Sequence, residues 1–211
     1  MTAKRINKLV QLGLLTAIVI LMAFTPLGYL RTAGLEITFI MIPVIVGAIL
    51  LGPGAGALLG GVFGLTSFVQ CFGMSPFGAT LLEINPIWTF IVCLIPRVLA
   101  GWLCGVVFRV VRRFWFDKGG LVSLSAASLC GPLLNTIFFM SGIVLFFYNT
   151  EYIQSLVQAL GAGNALIFVF LFVGVNGLVE LIVCFVIATA ICKALSRFLL
   201  KREENPEGSP E

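Results

Sequence analysis

Long apolar stretches alternate with short polar breaks along the chain, and this pattern predicts membrane-spanning helices. A hydrocarbon layer is about 30 Å thick, so each helix that crosses it needs roughly 20 mostly apolar residues. Of the 211 residues, 60% are apolar and 10% are charged, which is far from the composition of a soluble domain. We therefore expect an all-α integral membrane protein with six transmembrane helices, over residues 9–30, 37–51, 55–71, 86–111, 121–148 and 164–200.

The polar breaks predict the connections between these helices. The Gly-Pro-Gly sequence at residues 52–54 predicts a tight turn between the second and third helices. Residues 72–86 contain Gly, Ser and Pro and predict an external loop. Pro86 suits the first turn of the fourth helix, because its missing N–H is not needed there.

The distribution of basic residues predicts the orientation in the membrane. Cytoplasmic loops collect Lys and Arg, so we expect the N- and C-termini and the connection between the fourth and fifth helices to be cytoplasmic. Residues 1–202 then form the membrane domain, and residues 203–211, which are acidic and contain Pro and Gly, form a disordered cytoplasmic tail. Eleven of the thirteen Lys and Arg residues belong to three clusters: Lys4, Arg5 and Lys8; Arg109, Arg112, Arg113 and Lys118; and Lys193, Arg197, Lys201 and Arg202.

Small residues recur at helical spacing in the third predicted helix, and the same spacing relates Gly13 to Ala17 in the first. A stripe without side chains lets two helix backbones approach closely. No Lys-Ser or Lys-Thr pair follows the glycines, so they do not form a nucleotide-binding P-loop. The stripe in the third helix consists of Gly52, Gly56, Gly60 and Gly64.

Several polar residues lie within the apolar runs, where lipid penalises them. Arg97 lies midway along the fourth predicted helix, and Glu180 lies at a comparable depth in the sixth, one turn from Asn176. Asn135 follows Pro132 in the fifth helix. A charge at this depth costs roughly 3 kcal/mol or more unless it faces protein, water or an opposite charge. We expect these groups to converge on one cavity.

Two interpretations of this polar layer are open. In the first, Arg97 and Glu180 neutralise each other, and Asn135 and Asn176 link helices by hydrogen bonds. In the second, the layer binds a small polar solute: Arg97 attracts its anionic group, and the two Asn side chains bind its amide or hydroxyl groups. Both interpretations hold together if the ligand replaces one partner of an ion pair.

Further polar and aromatic residues lie near the external mouth of this layer. Asn85 and Trp88 are candidate substrate-binding residues there, next to Gln70 and Glu83. Their alternative role is interfacial solvation and aromatic anchoring.

The inventory of reactive side chains argues against enzymatic and metal chemistry. The chain has six Cys, no CxxC sequence and no His, so a zinc site is not expected. Buried Cys ordinarily fills apolar space, and Cys71, near the outer face, is the one for which we consider a disulfide partner. No nucleophile has an evident base, and no catalytic residues are expected. Two alternatives to a solute-binding protein belong to other functional classes. One is an intramembrane enzyme that uses Arg97 and Glu180, and the other is a purely structural subunit.

Three segments resemble the substrate-binding S components of energy-coupling-factor vitamin transporters. They are the apolar and Gly-rich stretch at residues 37–68, Ile-Pro-Arg-Val-Leu-Ala-Gly at 95–101, and Gly-Pro-Leu-Leu-Asn-Thr at 131–136. The resemblance covers nearly the whole chain. It implies a subunit of a prokaryotic plasma membrane that captures a vitamin outside the cell and docks on a transmembrane coupling protein with two cytoplasmic ATPases. It implies no cofactor and no nucleic-acid partner.

The resemblance also implies roles for particular positions. In that family a small-residue stripe on the first helix contacts the coupling protein, and Gly13-x-x-x-Ala17 matches this stripe. The family's ligand lies toward the outer side under two loops, which correspond to residues 25–36 and 72–86. The sequence is most similar to members associated with pantothenate, an acid that suits Arg97. Folate, also anionic, is the nearest alternative, and riboflavin is less favoured because it lacks a carboxylate.

Overall fold

A computed structural model describes residues 3–26, 28–32, 35–114 and 120–204, except for the side chains of residues 3–4, 29–32, 35–37, 114, 175–176 and 195–204. Eight helices and one hairpin follow each other in this part of the chain. The elements are α1 (Ala3–Ala23), β1 (Tyr29–Thr32), β2 (Leu35–Thr38), α2 (Met41–Leu50), α3 (Pro53–Gln70), α4 (Pro76–Ile84), α5 (Pro86–Phe114), α6 (Leu121–Phe147), α7 (Glu151–Ala159) and α8 (Ala165–Glu204).

Four helical segments among the described residues are long and apolar enough to cross a membrane. Their outer surfaces carry large apolar side chains, such as Phe170 and Leu145, which are 81% and 75% exposed. Such exposure is unfavourable in water but matches a lipid environment. The predicted class, a helical membrane protein, is therefore confirmed. The four segments are Arg5–Ala23, Pro86–Arg113, Leu121–Phe147 and Gly177–Ala194.

The second predicted helix is shorter than the sequence pattern indicated. Residues 35–38 form β2, which pairs with β1 in an antiparallel hairpin, and α2 begins only at Met41. This start places Pro43 in the first helical turn, whereas a helix from residue 37 would hold it in the interior, where it breaks the backbone ladder. With ten residues, α2 is about 15 Å long and does not cross a bilayer alone. Nine of its residues are buried, so α2 is a central helix of the bundle.

The prediction of a loop over residues 72–86 is wrong, because α4 occupies most of this segment. Ser75 caps the helix by accepting a hydrogen bond from the Gly78 N–H (3.4 Å), and Pro76 fills the first helical position. Leu81 is buried and anchors α4 on the bundle. A second short helix, α7, follows α6 and also lies outside the predicted helices.

Close packing of α3 on α5 follows from the glycine stripe of α3, as predicted. A side chain at Gly60 would clash with the main-chain carbonyl of Arg97, and a Cβ at Gly64 would lie 2.8 Å from the carbonyl oxygen of Cys93. Because these glycines carry no side chain, the backbone of α5 lies directly on α3. This contact fixes the height of Arg97 relative to α3.

The sixth predicted helix is divided by a break at Gly174. Its φ of 36° and ψ of −132° are non-helical and favour glycine. The break separates the apolar segments Ala165–Gly174 and Gly177–Ala194. The helix continues through Glu204, and residues 205–211 of the predicted tail lie outside the described part of the chain.

Basic residues from two helices gather at one end of the bundle. Lys8 of α1 and Arg109, Arg112 and Arg113 of α5 line a cleft beside Gly52 in the turn between α2 and α3. The β2 strand, α4 and α7 contribute to a cavity elsewhere in the bundle.

Candidate functional site

A cavity of about 540 Å³ lies among α3, α5, α6 and α8, with the end of β2, α4 and α7 contributing to its walls. Aromatic and aliphatic side chains form much of the lining. The charged side chains in the wall are Arg97 and Glu180. The uncharged polar side chains are Thr38, Ser67, Gln70, Ser75, Thr89, Asn135, Thr136 and Tyr152.

The helices α3 and α5 line the cavity with residues at helical spacing. On α5 they include Thr89, Cys93 and Arg97, which follow one another at intervals of four residues. On α3 they include Phe63 and Ser67. Positions four apart share one face of a helix, so this spacing is the signal by which the sequence alone locates further wall residues near Arg97.

The guanidinium of Arg97 is held by its own helix and by two aromatic rings. Pro96 has no N–H to donate to the carbonyl of Val92, four residues earlier, and the Nη1 of Arg97 donates to this carbonyl instead (2.7 Å). The guanidinium carbon lies 4.5 Å from the ring centroid of Phe139 and 5.6 Å from that of Phe63. The attraction between the guanidinium cation and these two aromatic rings further stabilises the orientation of the side chain.

Two polar atoms in the cavity wall are buried without a hydrogen-bond partner among the described residues. They are the Nε of Arg97 and the side-chain oxygen of Asn135. A buried polar atom without a partner costs about 1–3 kcal/mol. One atom is a donor on a cation and the other is an acceptor, so together they match an acid that also carries a hydroxyl or amide N–H.

Glu180 lines the same cavity, but it forms no ion pair with Arg97, although both side chains are described. A carboxylate oxygen of Glu180 instead accepts the main-chain N–H of Thr38 (3.4 Å). Direct neutralisation of Arg97 by Glu180 is therefore not the arrangement in this structure. The contact with Thr38 ties the end of the hairpin to α8.

Asn85 and Trp88 do not line the cavity. The side-chain oxygen of Asn85 caps α5 by accepting the main-chain N–H groups of Ile87 and Trp88, each at 3.1 Å. The indole of Trp88 stacks on Phe146, with ring centroids 4.2 Å apart. Helix capping and aromatic packing thus account for these two side chains. The side chain of Asn176 lies outside the described residues, and its role stays a prediction.

Gly13 and Ala17 lie on an exposed face of α1, away from the cavity wall. A Cβ at Gly13 would meet no atom within 4 Å. This face is accessible to a partner, while the docking role of the two residues stays a prediction.

The sequence pattern did not identify the thiols and rings in the cavity wall. Cys71 and Cys93 both line it, as do Phe63 and Phe139 beside the arginine. Apolar and aromatic residues are so frequent in this chain that composition gives no signal for these positions. Helical spacing from Arg97 was a signal that could have indicated Cys93, but it gives no indication of the partners on other helices.

A helical bundle with an apolar exterior and an internal cavity that holds an arginine belongs to the class of solute-binding membrane proteins. Comparison with known proteins gives the family. The model of the substrate-specific component of ECF transporters matches residues 7–192, and the chain belongs to this family. It is therefore a multi-pass membrane protein that binds a small-molecule substrate for uptake, and it is not an enzyme. The family works with an energy-coupling module.

Two curated relatives share this similarity. The chain is 32% identical over 169 residues to the pantothenic acid transporter PanT of Lactococcus lactis subsp. cremoris, covering 76% of this chain and 78% of the relative. It is 34% identical over 137 residues to the pantothenate transporter PanT of Leuconostoc mesenteroides subsp. mesenteroides, covering 61% of this chain and 62% of that relative.

Proposed function

We propose that this subunit captures pantothenate and delivers it to an ATP-driven importer. The observation that carries the proposal is the Arg97 guanidinium, held in a cavity wall with a buried Nε that has no partner among the described residues. Both relatives described above are named as pantothenate transporters, which supports the choice of this vitamin. The cavity volume of about 540 Å³ is within the range of roughly 300–1,000 Å³ that is usual for small-ligand sites.

Each functional group of pantothenate has a proposed partner. The carboxylate binds Arg97, and a hydroxyl or the amide N–H donates to the side-chain oxygen of Asn135. Glu180 accepts from a second hydroxyl, and Asn176 contributes a further amide from α8. The two methyl groups of the vitamin pack on the aromatic wall, which includes Phe139. Folate and riboflavin are the alternative vitamins.

The proposed topology has six crossings with both termini in the cytoplasm. The basic cleft formed by Lys8, Arg109, Arg112 and Arg113 then lies on the cytoplasmic side, where Lys and Arg accumulate. The second crossing combines the hairpin with α2, since non-helical backbone at membrane depth is tolerated where protein surrounds it. The cavity opens toward the outside, with α4 and α7 near its mouth.

We further propose that the subunit works in a prokaryotic plasma membrane with one transmembrane coupling protein and two cytoplasmic ATPases. The exposed face of α1 that carries Gly13 and Ala17 contacts the coupling protein. Substrate binding draws the hairpin and α4 over the ligand, which closes the cavity. ATP acts through the partners by changing which orientation of the subunit in the bilayer is populated.

The experiment that tests the substrate compares an acid with its neutral analogue. Calorimetry on the purified protein measures the affinity for pantothenate and for pantothenyl alcohol, in which a hydroxymethyl group replaces the carboxylate. We expect wild type to prefer the acid, and Arg97→Gln to weaken acid binding by about 10- to 150-fold with little effect on the alcohol, because a charge-assisted hydrogen bond contributes about 1.5–3 kcal/mol. Arg109→Gln, which changes an arginine outside the cavity, is the matched control.

Two results contradict the proposal. If folate or riboflavin binds more tightly than pantothenate, that vitamin is the substrate instead. Equal losses of acid and alcohol affinity in Arg97→Gln remove the role of the arginine as the carboxylate partner.

A further inference from the structure

Two cysteine sulfurs meet in the wall of the cavity. The Sγ atoms of Cys71 and Cys93 are 3.9 Å apart, and both residues line the cavity while being only 4% and 7% exposed. A disulfide bond has an S–S distance of about 2.05 Å. A sulfur movement of about 2 Å, within the reach of side-chain rotation, therefore separates the present pair from a bond.

The surrounding backbone brings these two residues together. Close packing of Gly64 on the carbonyl of Cys93 holds α3 against α5 at this level. Cys71 caps the C-terminus of α3, where its helical backbone angles and the hydrogen bond from its N–H to the Phe68 carbonyl (3.1 Å) hold it on the last turn. Its sulfur also lies over Gly78 of α4, since a Cβ placed there would be 2.7 Å from it. The pair thus stands where α3, α4 and α5 meet.

The other described cysteine contacts differ from this one. The sulfur of Cys104 donates to the carbonyl of Ala127 (3.2 Å), and that of Cys184 lies 3.9 Å from the carbonyl of Thr38. Neither contact offers a second sulfur. Cys130 and Cys192 also lie near Cys104 in the bundle, but the direct sulfur–sulfur contact among the described cysteines is the one between Cys71 and Cys93.

We propose that Cys71 and Cys93 form a thiol modification site in the cavity wall, which a small organic disulfide entering the cavity oxidises to an intramolecular disulfide. One protein thiolate attacks a sulfur of the small disulfide, which breaks its S–S bond and releases one thiolate. The second protein thiolate attacks the protein sulfur of this mixed disulfide and releases the other thiolate. The protein pair loses two electrons and two protons, and the reagent is reduced to two thiols.

Oxidation at this site should change the affinity for the substrate, and this consequence rests on the proposed function. Cys93 precedes Arg97 by one turn on the same face of α5. A bond between Cys93 and Cys71 links the part of α5 beside the arginine to the C-terminal end of α3, which contacts Gly78 of α4. We expect the oxidised protein to lose affinity for pantothenate, and bound pantothenate to slow the oxidation by filling the cavity.

The test treats the reduced, purified full-length protein with oxidised glutathione. We expect the intact mass to fall by two hydrogen atoms, and proteolysis without reductant to yield a fragment that joins Cys71 to Cys93. Cys71→Ser and Cys93→Ser each abolish this product, so that failure of one variant to fold does not remove the test. Cys130→Ser, which changes a cysteine outside the pair, leaves the product intact.

The outcomes separate this site from the proposed function, because the mass change is measured without any vitamin. A mapped bond between the two residues supports the site whether or not pantothenate binds. A protein that stays reduced, keeps glutathione adducts or joins another pair of cysteines overturns it. Equal pantothenate affinity of the reduced and oxidised forms overturns the coupling to substrate binding, whereas a loss that a reductant reverses supports it.

Discussion

Arg97 donates a hydrogen bond of 2.7 Å from its guanidinium to the main-chain carbonyl of Val92, in the same helix. This carbonyl is the one that Pro96 cannot engage, because proline has no N–H. The Pro-Arg sequence therefore creates an acceptor and supplies its donor in adjacent residues. One N–H of the guanidinium is used in this way, which fixes the side chain and leaves its other donors for the cavity.

Replacement of Pro96 by Ala tests this arrangement. The new N–H competes for the carbonyl of Val92, so Arg97 loses part of its orientation. We expect pantothenate affinity to fall by up to about tenfold, less than a full charge-assisted hydrogen bond, as measured by calorimetry. Pro86→Ala is the control, because Pro86 is the first residue of α5 and frees no carbonyl within the helix. Unchanged affinity in Pro96→Ala contradicts the role of the proline.

Asn135→Ala is expected to raise stability and weaken binding at the same time. Its side-chain oxygen is buried without a partner among the described residues, so its removal relieves a desolvation cost. The free energy of unfolding of the ligand-free protein should rise by about 1 kcal/mol, while pantothenate affinity falls. Thermal unfolding with and without the vitamin measures both effects.

Asn164→Ala provides the contrasting control for that experiment. Its side-chain oxygen accepts the Ile167 N–H (2.8 Å) at the start of α8, so the substitution should cost about 1 kcal/mol of stability and leave binding intact. If Asn135→Ala also lowers the stability of the ligand-free protein, then burial of the Asn135 oxygen does not destabilise that protein, and a ligand has no desolvation cost to offset there.

Glu180 is expected to hold the end of the hairpin through its carboxylate. Glu180→Ala removes the acceptor of the Thr38 N–H, and we expect faster hydrogen–deuterium exchange at the Thr38 amide. Glu180→Gln keeps an acceptor oxygen and should exchange at a rate close to that of wild type. Similar exchange in Glu180→Ala and wild type would show that the contact does not protect this amide.

Gly60→Ala tests the close packing of α3 on α5. A methyl group at this position meets the main-chain carbonyl of Arg97, which cannot move without its helix. We expect a loss of about 1–3 kcal/mol in the free energy of unfolding, together with weaker substrate binding. At Gly61 a Cβ would lie 3.6 Å from a methyl of Val98, an ordinary contact, so Gly61→Ala should be tolerated. Equal thermal stability of the two variants would refute the packing argument.

Gly13→Leu separates substrate binding from assembly. A Cβ at Gly13 meets nothing within 4 Å, so the side chain fits the isolated subunit, and pantothenate affinity should not change. Co-purification with the coupling protein and vitamin uptake should both fall, because the leucine interrupts a close helix contact. Gly163→Leu, at a similarly open position between α7 and α8, is the control. Normal uptake by Gly13→Leu places the docking face elsewhere.

Most of the long helices were predictable, whereas the covering elements were not. Apolar runs of sufficient length predicted α5 and α6 closely, because lipid requires such runs. The short helices α4 and α7 bury only a few side chains each, such as Leu81 and Ile153, so they have no long apolar signal. Local cues existed: Ser75 followed by Pro76 is a typical helix start. The hairpin was missed because its strands are only four residues long.

The sequence by itself determined the solvent of this protein, the class of its fold and the polar residues that lipid would penalise, since hydropathy and charge are properties of each segment alone. Tertiary structure decided which of these residues meet. Arg97, Asn135 and Glu180 line one cavity. Glu180 accepts a hydrogen bond from the Thr38 N–H and does not pair with Arg97, and Asn85 caps a helix. Such contacts depend on how each helix is rotated, tilted and broken against its neighbours, and packing between distant segments sets these angles.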